Sequence, residues 1–161
     1  MKKLNFLTKL KNKGRLELVE SSDEICISYL EKANNCLKAA RLLLKNDLYE
    51  NSISMSYYVM YNSLTASLFK VGIKCKDHAG SILILKSLFD RHDLFKLISF
   101  AKEERIDKQY YVTSKDNSIL TKESAQDMIA KAETFIVQIK LLIENLKRED
   151  IEKIREIFKE I

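Results

Sequence analysis

Between Asn51 and Phe69 the chain carries no charged residue, although charged residues make up 32% of the whole sequence. A helix with no charged face has to be enclosed, by lipid or by the rest of the protein. The stretch holds Asn51, Ser52, Ser54, Ser56, Asn62, Ser63, Thr65 and Ser67, too many polar groups for a transmembrane span, so the reading is a central helix wrapped by the chain itself. One of its faces is large (Ile53, Tyr57, Met60, Leu64, Leu68, Val71) and fills a core. A second is small (Ser52, Ser56, Val59, Ser63, Ser67) and lets a neighbouring backbone come close.

The 161 residues include no proline and only Gly14, Gly72 and Gly80. Such a chain supports long helices and lacks the turn chemistry of a multistranded sheet. The expected fold class is all-α, an up-and-down bundle of four to five main helices. A first long helix starts at Ser21 or Ser22, with Glu24 at capping-box spacing, and runs to about Asn46 along the stripe Leu30, Ala33, Leu37, Ala40, Leu44. The central helix follows and is stopped by Gly72. After a loop over 73–76, Asp77 caps a short helix from about His78 to Asp90. A fourth runs from Asp93 to about Asp107 on Leu94, Leu97, Ile98 and Ala101. Beyond a polar loop over 113–120, Thr121 caps the last long helix, whose seam is Ala125, Met128, Ala132, Phe135, Ile139, Leu142 and Leu146.

This divides the chain into a bundle over 21–146, a basic, loosely docked N-terminal arm over 1–20 and a C-terminal helical extension over 147–161. In the extension, Ile151, Ile154, Phe158 and Ile161 resume the apolar pattern at a new phase. It is either a sixth helix or an outward extension that grips a partner. The net charge of +5 favours contact with RNA or another anionic partner only mildly. Three cysteines, odd in number and without paired spacing, together with a start that does not read as a signal peptide, point to a cytoplasmic protein.

Candidate chemistry is sparse. His78 stands at a helix N-terminus beside Asp77, and His92 lies between Arg91 and Asp93. Cys75 and His78 have the spacing of half a metal site, with no second pair to complete it, so no metal and no cofactor is expected. Glycine-rich phosphate loops are absent. What remains is Arg105-Ile106-Asp107-Lys108-Gln109-Tyr110-Tyr111. Arg105 continues the inner stripe of the fourth helix, so it must meet a carboxylate, project into a cleft where phosphate can reach it, or cap the helix C-terminus. Tyr110 and Tyr111 offer hydroxyls or base stacking.

Several segments in order resemble the HEPN domain family, the higher eukaryote and prokaryote nucleotide-binding helical bundle. They are Ala39-Ala40-Arg41-Leu42-Leu43-Leu44, Tyr49-Glu50-Asn51-Ser52, Ser56-Tyr57-Tyr58-Val59-Met60-Tyr61-Asn62-Ser63-Leu64 and Lys76-Asp77-His78-Ala79-Gly80, followed by Arg105 with Tyr110 five positions on. The similarity is greatest to its small single-domain prokaryotic branch and covers about Asp23 to Leu146. It implies a helical bundle that forms a homodimer, often beside a minimal nucleotidyltransferase in toxin-antitoxin pairs. Many relatives are metal-independent endoribonucleases built on Arg, four to six intervening residues, then His. In that chemistry a 2′-hydroxyl attacks the adjacent phosphate, His moves the proton and Arg meets the pentavalent charge.

This sequence departs from the pattern. Neither histidine follows an Arg at that interval, and the position matching the catalytic His is Tyr110, whose ordinary pKa near 10 makes it a poor base at neutral pH. The resulting expectation is a toxin-like, RNA- or nucleotide-contacting bundle with weak or no ribonuclease activity and a minimal nucleotidyltransferase antitoxin as partner. No membrane association is expected. Arg105 would bind phosphate, Tyr110 orient it, Asp107 set the Arg geometry, and Tyr111 and His78 lie against the RNA. The alternative is a non-catalytic helical adaptor that grips another protein with its C-terminal helix.

Overall fold

The computed structural model describes the backbone of residues 2–110 and 120–161, and the side chains of 5–105 and 120–161. Asp107 and Tyr110 therefore enter through their backbone alone, and Tyr111 and the expected loop over 113–119 lie outside the described residues. The described elements are α1 (Lys2–Asn12), β1 (Leu16–Leu18), α2 (Asp23–Lys45), α3 (Tyr49–Lys70), β2 (Ile73–Cys75), α4 (His78–Ser87), α5 (His92–Tyr110), α6 (Lys122–Asn145) and α7 (Arg148–Lys159).

The all-α expectation holds, and α3 is its axis. Ile53, Tyr57, Val59, Met60, Leu64 and Leu68 are buried together with Ser52, Ser56, Ser63 and Ser67. Helix α3 packs most extensively on α2, then on α6 and α5. The serines make the closeness to α2 possible: the Ser52 hydroxyl donates to the Ala40 carbonyl across the interface at 2.8 Å, and Ser56, Ser63 and Ser67 donate back to carbonyls of α3 itself. A polar residue with a short side chain thus satisfies its own hydroxyl while leaving room for a neighbouring helix.

Local signals set the helix boundaries. Ser22 caps α2 by accepting from the Ile25 amide, Asp77 caps α4 by accepting from the Gly80 amide, and Thr121 forms a capping box with Ser124 at α6. The α6 seam is buried as read, from Ala125 through Ile139.

Two expectations change, and one open alternative is decided. The residues over 73–76 were expected to form a loop, yet Ile73–Cys75 pairs antiparallel with Leu16–Leu18, Leu16 facing Cys75 and Leu18 facing Ile73. The strands are three residues each, too short to leave a periodic signature. The N-terminal segment is not a loosely docked arm, because α1 and β1 bury Leu7, Leu10 and Leu16 in the core. Of the two alternatives for the C-terminal segment, the separate helix holds and the outward extension does not. Helix α7 folds back, burying Ile154 and Phe158, and Thr8 and Lys11 of α1 donate to the Ile161 and Phe158 carbonyls. Arg155 ties α7 to the ribbon, its Nη1 donating to the carbonyls of Val19, Val71 and Gly72 at 2.8–3.1 Å.

Candidate functional site

Helix α5 runs to Tyr110, so Arg105 sits more than a turn inside it and does not cap its C-terminus. Its guanidinium rests on the aromatic surface of α3, 5.2 Å from the Tyr57 ring centroid and 4.9 Å from that of Tyr58. No carboxylate pairs with it among the described residues. Its Nε is buried without a hydrogen-bond partner, which leaves an ionised donor unsatisfied in a protein interior.

The adjoining half of the site comes from α4. Asp77, in extended backbone, caps that helix and sets His78 in its first turn, pointed back at α3. His78 Nδ1 lies 2.8 Å from the Tyr57 hydroxyl, and its ring stacks on Tyr61 with centroids 3.8 Å apart. Tyr57, at the centre, is fully buried and touches both Arg105 and His78. Tyrosines spaced by one helical turn on α3 therefore hold an imidazole from α4 and a guanidinium from α5 in one cluster.

The electrostatics follow from this packing. Burial pushes the Tyr57 phenol well above its usual range, only partly opposed by Arg105. It stays protonated at neutral pH and cannot serve as a base. Burial pushes the His78 imidazole below its ordinary value, and the charges of Arg105 and Lys102 push it the same way against the smaller pull of Asp77. His78 is thus a neutral imidazole at neutral pH, able to take up a proton, beside a guanidinium able to hold an anion. Those are the chemical parts that phosphodiester attack by a 2′-hydroxyl requires.

A family model for the HEPN domain matches residues 28–145. The chain belongs to the HEPN domain family. A UPF0332 protein of Thermotoga maritima is 27% identical over 135 residues, 81% of this chain and 99% of that protein. A UPF0332 protein of Gloeobacter violaceus is 30% identical over 116 residues, 66% of this chain and 86% of that one. A protein named "Putative toxin MJ0605" from Methanocaldococcus jannaschii is 28% identical over 121 residues, 73% of this chain and 87% of that one.

The HEPN match begins within α2 and ends at the last residue of α6, so α1, β1 and α7 stand outside it. In this HEPN bundle those outer elements cover the end of α3 opposite its start and brace the β-ribbon from which α4 departs.

Of the residues singled out in the sequence, Arg105 and His78 are brought into one cluster, whereas His92 is remote from it, exposed and 3.3 Å from Asp90. The side chains of Asp107, Tyr110 and Tyr111 lie outside the described residues. Sequence reasoning assigned Tyr57 to the core and Tyr58 to no role, and so missed the platform. The available signal was three tyrosines at positions 57, 58 and 61 in the charge-free stretch 51–69.

Proposed function

We propose that this HEPN protein is the toxin-like, RNA-contacting half of a two-component module, with Arg105 gripping a backbone phosphate and cleavage weak or absent. The observation that carries the reading is the state of Arg105: a guanidinium laid on two tyrosine rings, with a buried unsatisfied Nε and no carboxylate partner among the described residues. Stacking on the rings is worth about 0.5–2 kcal/mol, and an unsatisfied buried donor costs about 1–3 kcal/mol. The two nearly cancel, so stability alone does not account for an arginine here, whereas an anion in the site would satisfy it.

The proton-transfer residue is absent from its motif position, where Tyr110 stands. His78 is the imidazole that feels Arg105. Any residual cleavage runs through it in the tautomer whose Nδ1–H donates to the Tyr57 oxygen: Nε2 takes the 2′-hydroxyl proton as that oxygen bonds to phosphorus, and the P–O5′ bond breaks to leave a 2′,3′-cyclic phosphate and a 5′-hydroxyl that takes its proton from water. The toxin-named archaeal relative supports the toxin-like reading. The homodimer and the minimal nucleotidyltransferase partner rest on the family resemblance.

The test is binding of single-stranded RNA to the full chain across a salt series. Arg105→Ala should weaken binding, lower the salt slope by about one, and leave the melting temperature within a few degrees of the parent. Unchanged binding with a markedly lower melting temperature would overturn the reading. Incubation of varied RNAs with metal chelated, with and without His78→Ala, measures the cleavage arm.

A further inference from the structure

Beside the Arg105 cluster, and sharing its tyrosine wall, α2, α3 and β2 line a half-open cavity of about 370 Å³. That falls within the size range of small-ligand sites. Tyr58 and Tyr61 face it from α3, so the same residues that carry Arg105 and His78 also form its side. Tyr29 of α2 and Phe69 of α3, also in the lining, stack nearly parallel with centroids 5.6 Å apart.

Among the described residues the charge of the lining has a single sign: Lys32, Lys74 and Lys76 border the cavity and no Asp or Glu does. Glu17 approaches from β1, 3.5 Å from Lys74 and 4.0 Å from Lys76, but these are half-exposed pairs of the kind that contribute little and rearrange readily. Asn62 belongs to the same lining. It is only 4% exposed, yet the hydrogen bond its amide donates goes to the Cys36 thiol at 3.6 Å, a weak acceptor. A buried amide with both donor and acceptor capacity left over, inside an aromatic cavity, is the group expected to read the edge of a planar heterocycle.

We infer that this cavity binds one nucleotide of single-stranded RNA, the base lying against the tyrosine wall with its edge on Asn62 and the phosphate on Lys32, Lys74 and Lys76. Aromatic faces with an adjoining basic rim are how proteins hold unpaired nucleotides, whereas a paired base offers neither face nor edge. Because Tyr58 separates the cavity from Arg105, the captured base neighbours the phosphate that Arg105 grips, and the register of the strand over the cluster is set. The inference rests on the RNA-contacting reading above and gives it a substrate class, unpaired RNA.

The experiment is fluorescence anisotropy of a short, single-stranded, fluorescein-labelled oligoadenylate with the full chain. The proteins compared are the parent, Tyr29→Leu, Asn62→Leu, the pair Lys32→Ala with Lys76→Ala, and Arg105→Ala. Thermal melts establish that each is folded. Tyr29 is only partly buried and both lysines of the pair are exposed, so those variants keep the test valid if Asn62→Leu does not fold. Tyr29→Leu and Asn62→Leu should each weaken binding about tenfold, and pairing the probe with oligouridylate should weaken it for the parent.

If the lysine pair matters but Tyr29→Leu and Asn62→Leu bind like the parent, only charge is at work and the inference is overturned. If all cavity variants bind like the parent while Arg105→Ala is weakened, the inference fails and the Arg105 reading stands. If the cavity variants are weakened and Arg105→Ala is not, the cavity stands and that reading fails. A parent that does not bind the probe overturns both.

Discussion

The Tyr57 hydroxyl and Nδ1 of His78 lie 2.8 Å apart, and this contact fixes which protons the site can move. The phenol keeps its proton because burial raises its pKa, and the imidazole loses its own easily because burial and Arg105 lower its pKa. With Nδ1–H donating to the phenol oxygen, Nε2 keeps its lone pair and can take a proton; with the hydroxyl donating to Nδ1, Nε2 carries the proton and can only donate. The pair is also a link between helices, since α4 meets α3 through it.

The His78 pKa has a measurable consequence. The folded state holds its proton less tightly than the unfolded state, whose imidazole titrates near 6.5. Between the folded value and 6.5 the unfolded chain binds more protons, so this contribution to stability is fully present above 6.5 and is lost as pH falls through the folded pKa. The His78 ring resonances in an NMR titration should therefore move below pH 6.5, and Arg105→Ala should bring the midpoint back upward. A midpoint at or above 6.5 in the parent would contradict the site geometry.

Gly72 provides a second test, at the other end of α3. Its φ is +73°, and a Cβ there would stand 2.0 Å from Nη1 of Arg155 and 2.5 Å from the Val19 carbonyl oxygen. Gly72→Ala should thus combine left-handed strain with expulsion of the guanidinium that serves three carbonyls, at a cost of about 2 kcal/mol or more. Arg155→Ala alone should cost about 1–3 kcal/mol, because the freed carbonyls are partly buried. Urea denaturation of both variants measures this, and equal midpoints for parent and variants would mean that α7 does not brace the ribbon.

At the interface of α2 and α3, size should matter more than the hydroxyl. Ser52→Ala removes one buried hydrogen bond to Ala40 and should cost about 1 kcal/mol. Ser52→Leu has to push α2, whose buried Ala40 faces it, away from α3 and should cost more, about 1–3 kcal/mol beyond that. Chemical denaturation of the two variants distinguishes the effects, and a tolerated leucine would show that the helices are not held at close range.

These elements also mark what could be read from the chain. The uncharged helix, the seams of α2 and α6 and the caps at Asp77 and Thr121 were legible because each leaves a periodic or positional signal. The burial of α1 was not, since Leu7, Leu10 and Leu16 are scattered among lysines and join a core built largely from elements far along the chain. Gly80 records that docking: a Cβ there would stand 2.4 Å from Leu10 Cδ1, so α4 is shaped to receive α1. The site divides in the same way. Arg105 stood out as an interrupted stripe and His78 as a helix-start residue, but their meeting depends on Tyr57, whose place at the centre is set by packing between helices far apart in sequence.

The platform under Arg105 separates two ways in which a cation could serve the site. If charge alone held the phosphate, Arg105→Lys would keep the function, because both residues are cationic at neutral pH. A planar guanidinium, however, sits 5.2 Å from the Tyr57 ring centroid and 4.9 Å from that of Tyr58 and directs its remaining N–H groups in a fixed fork, whereas an ammonium on a flexible stem fixes no such direction. Arg105→Lys should therefore retain the salt dependence of RNA binding while weakening affinity about tenfold, with the melting temperature unchanged or slightly raised as the unsatisfied Nε is removed. Salt-series anisotropy on parent, lysine and alanine forms resolves this: a lysine form as tight as the parent would mean that the tyrosine platform plays no part in holding the anion.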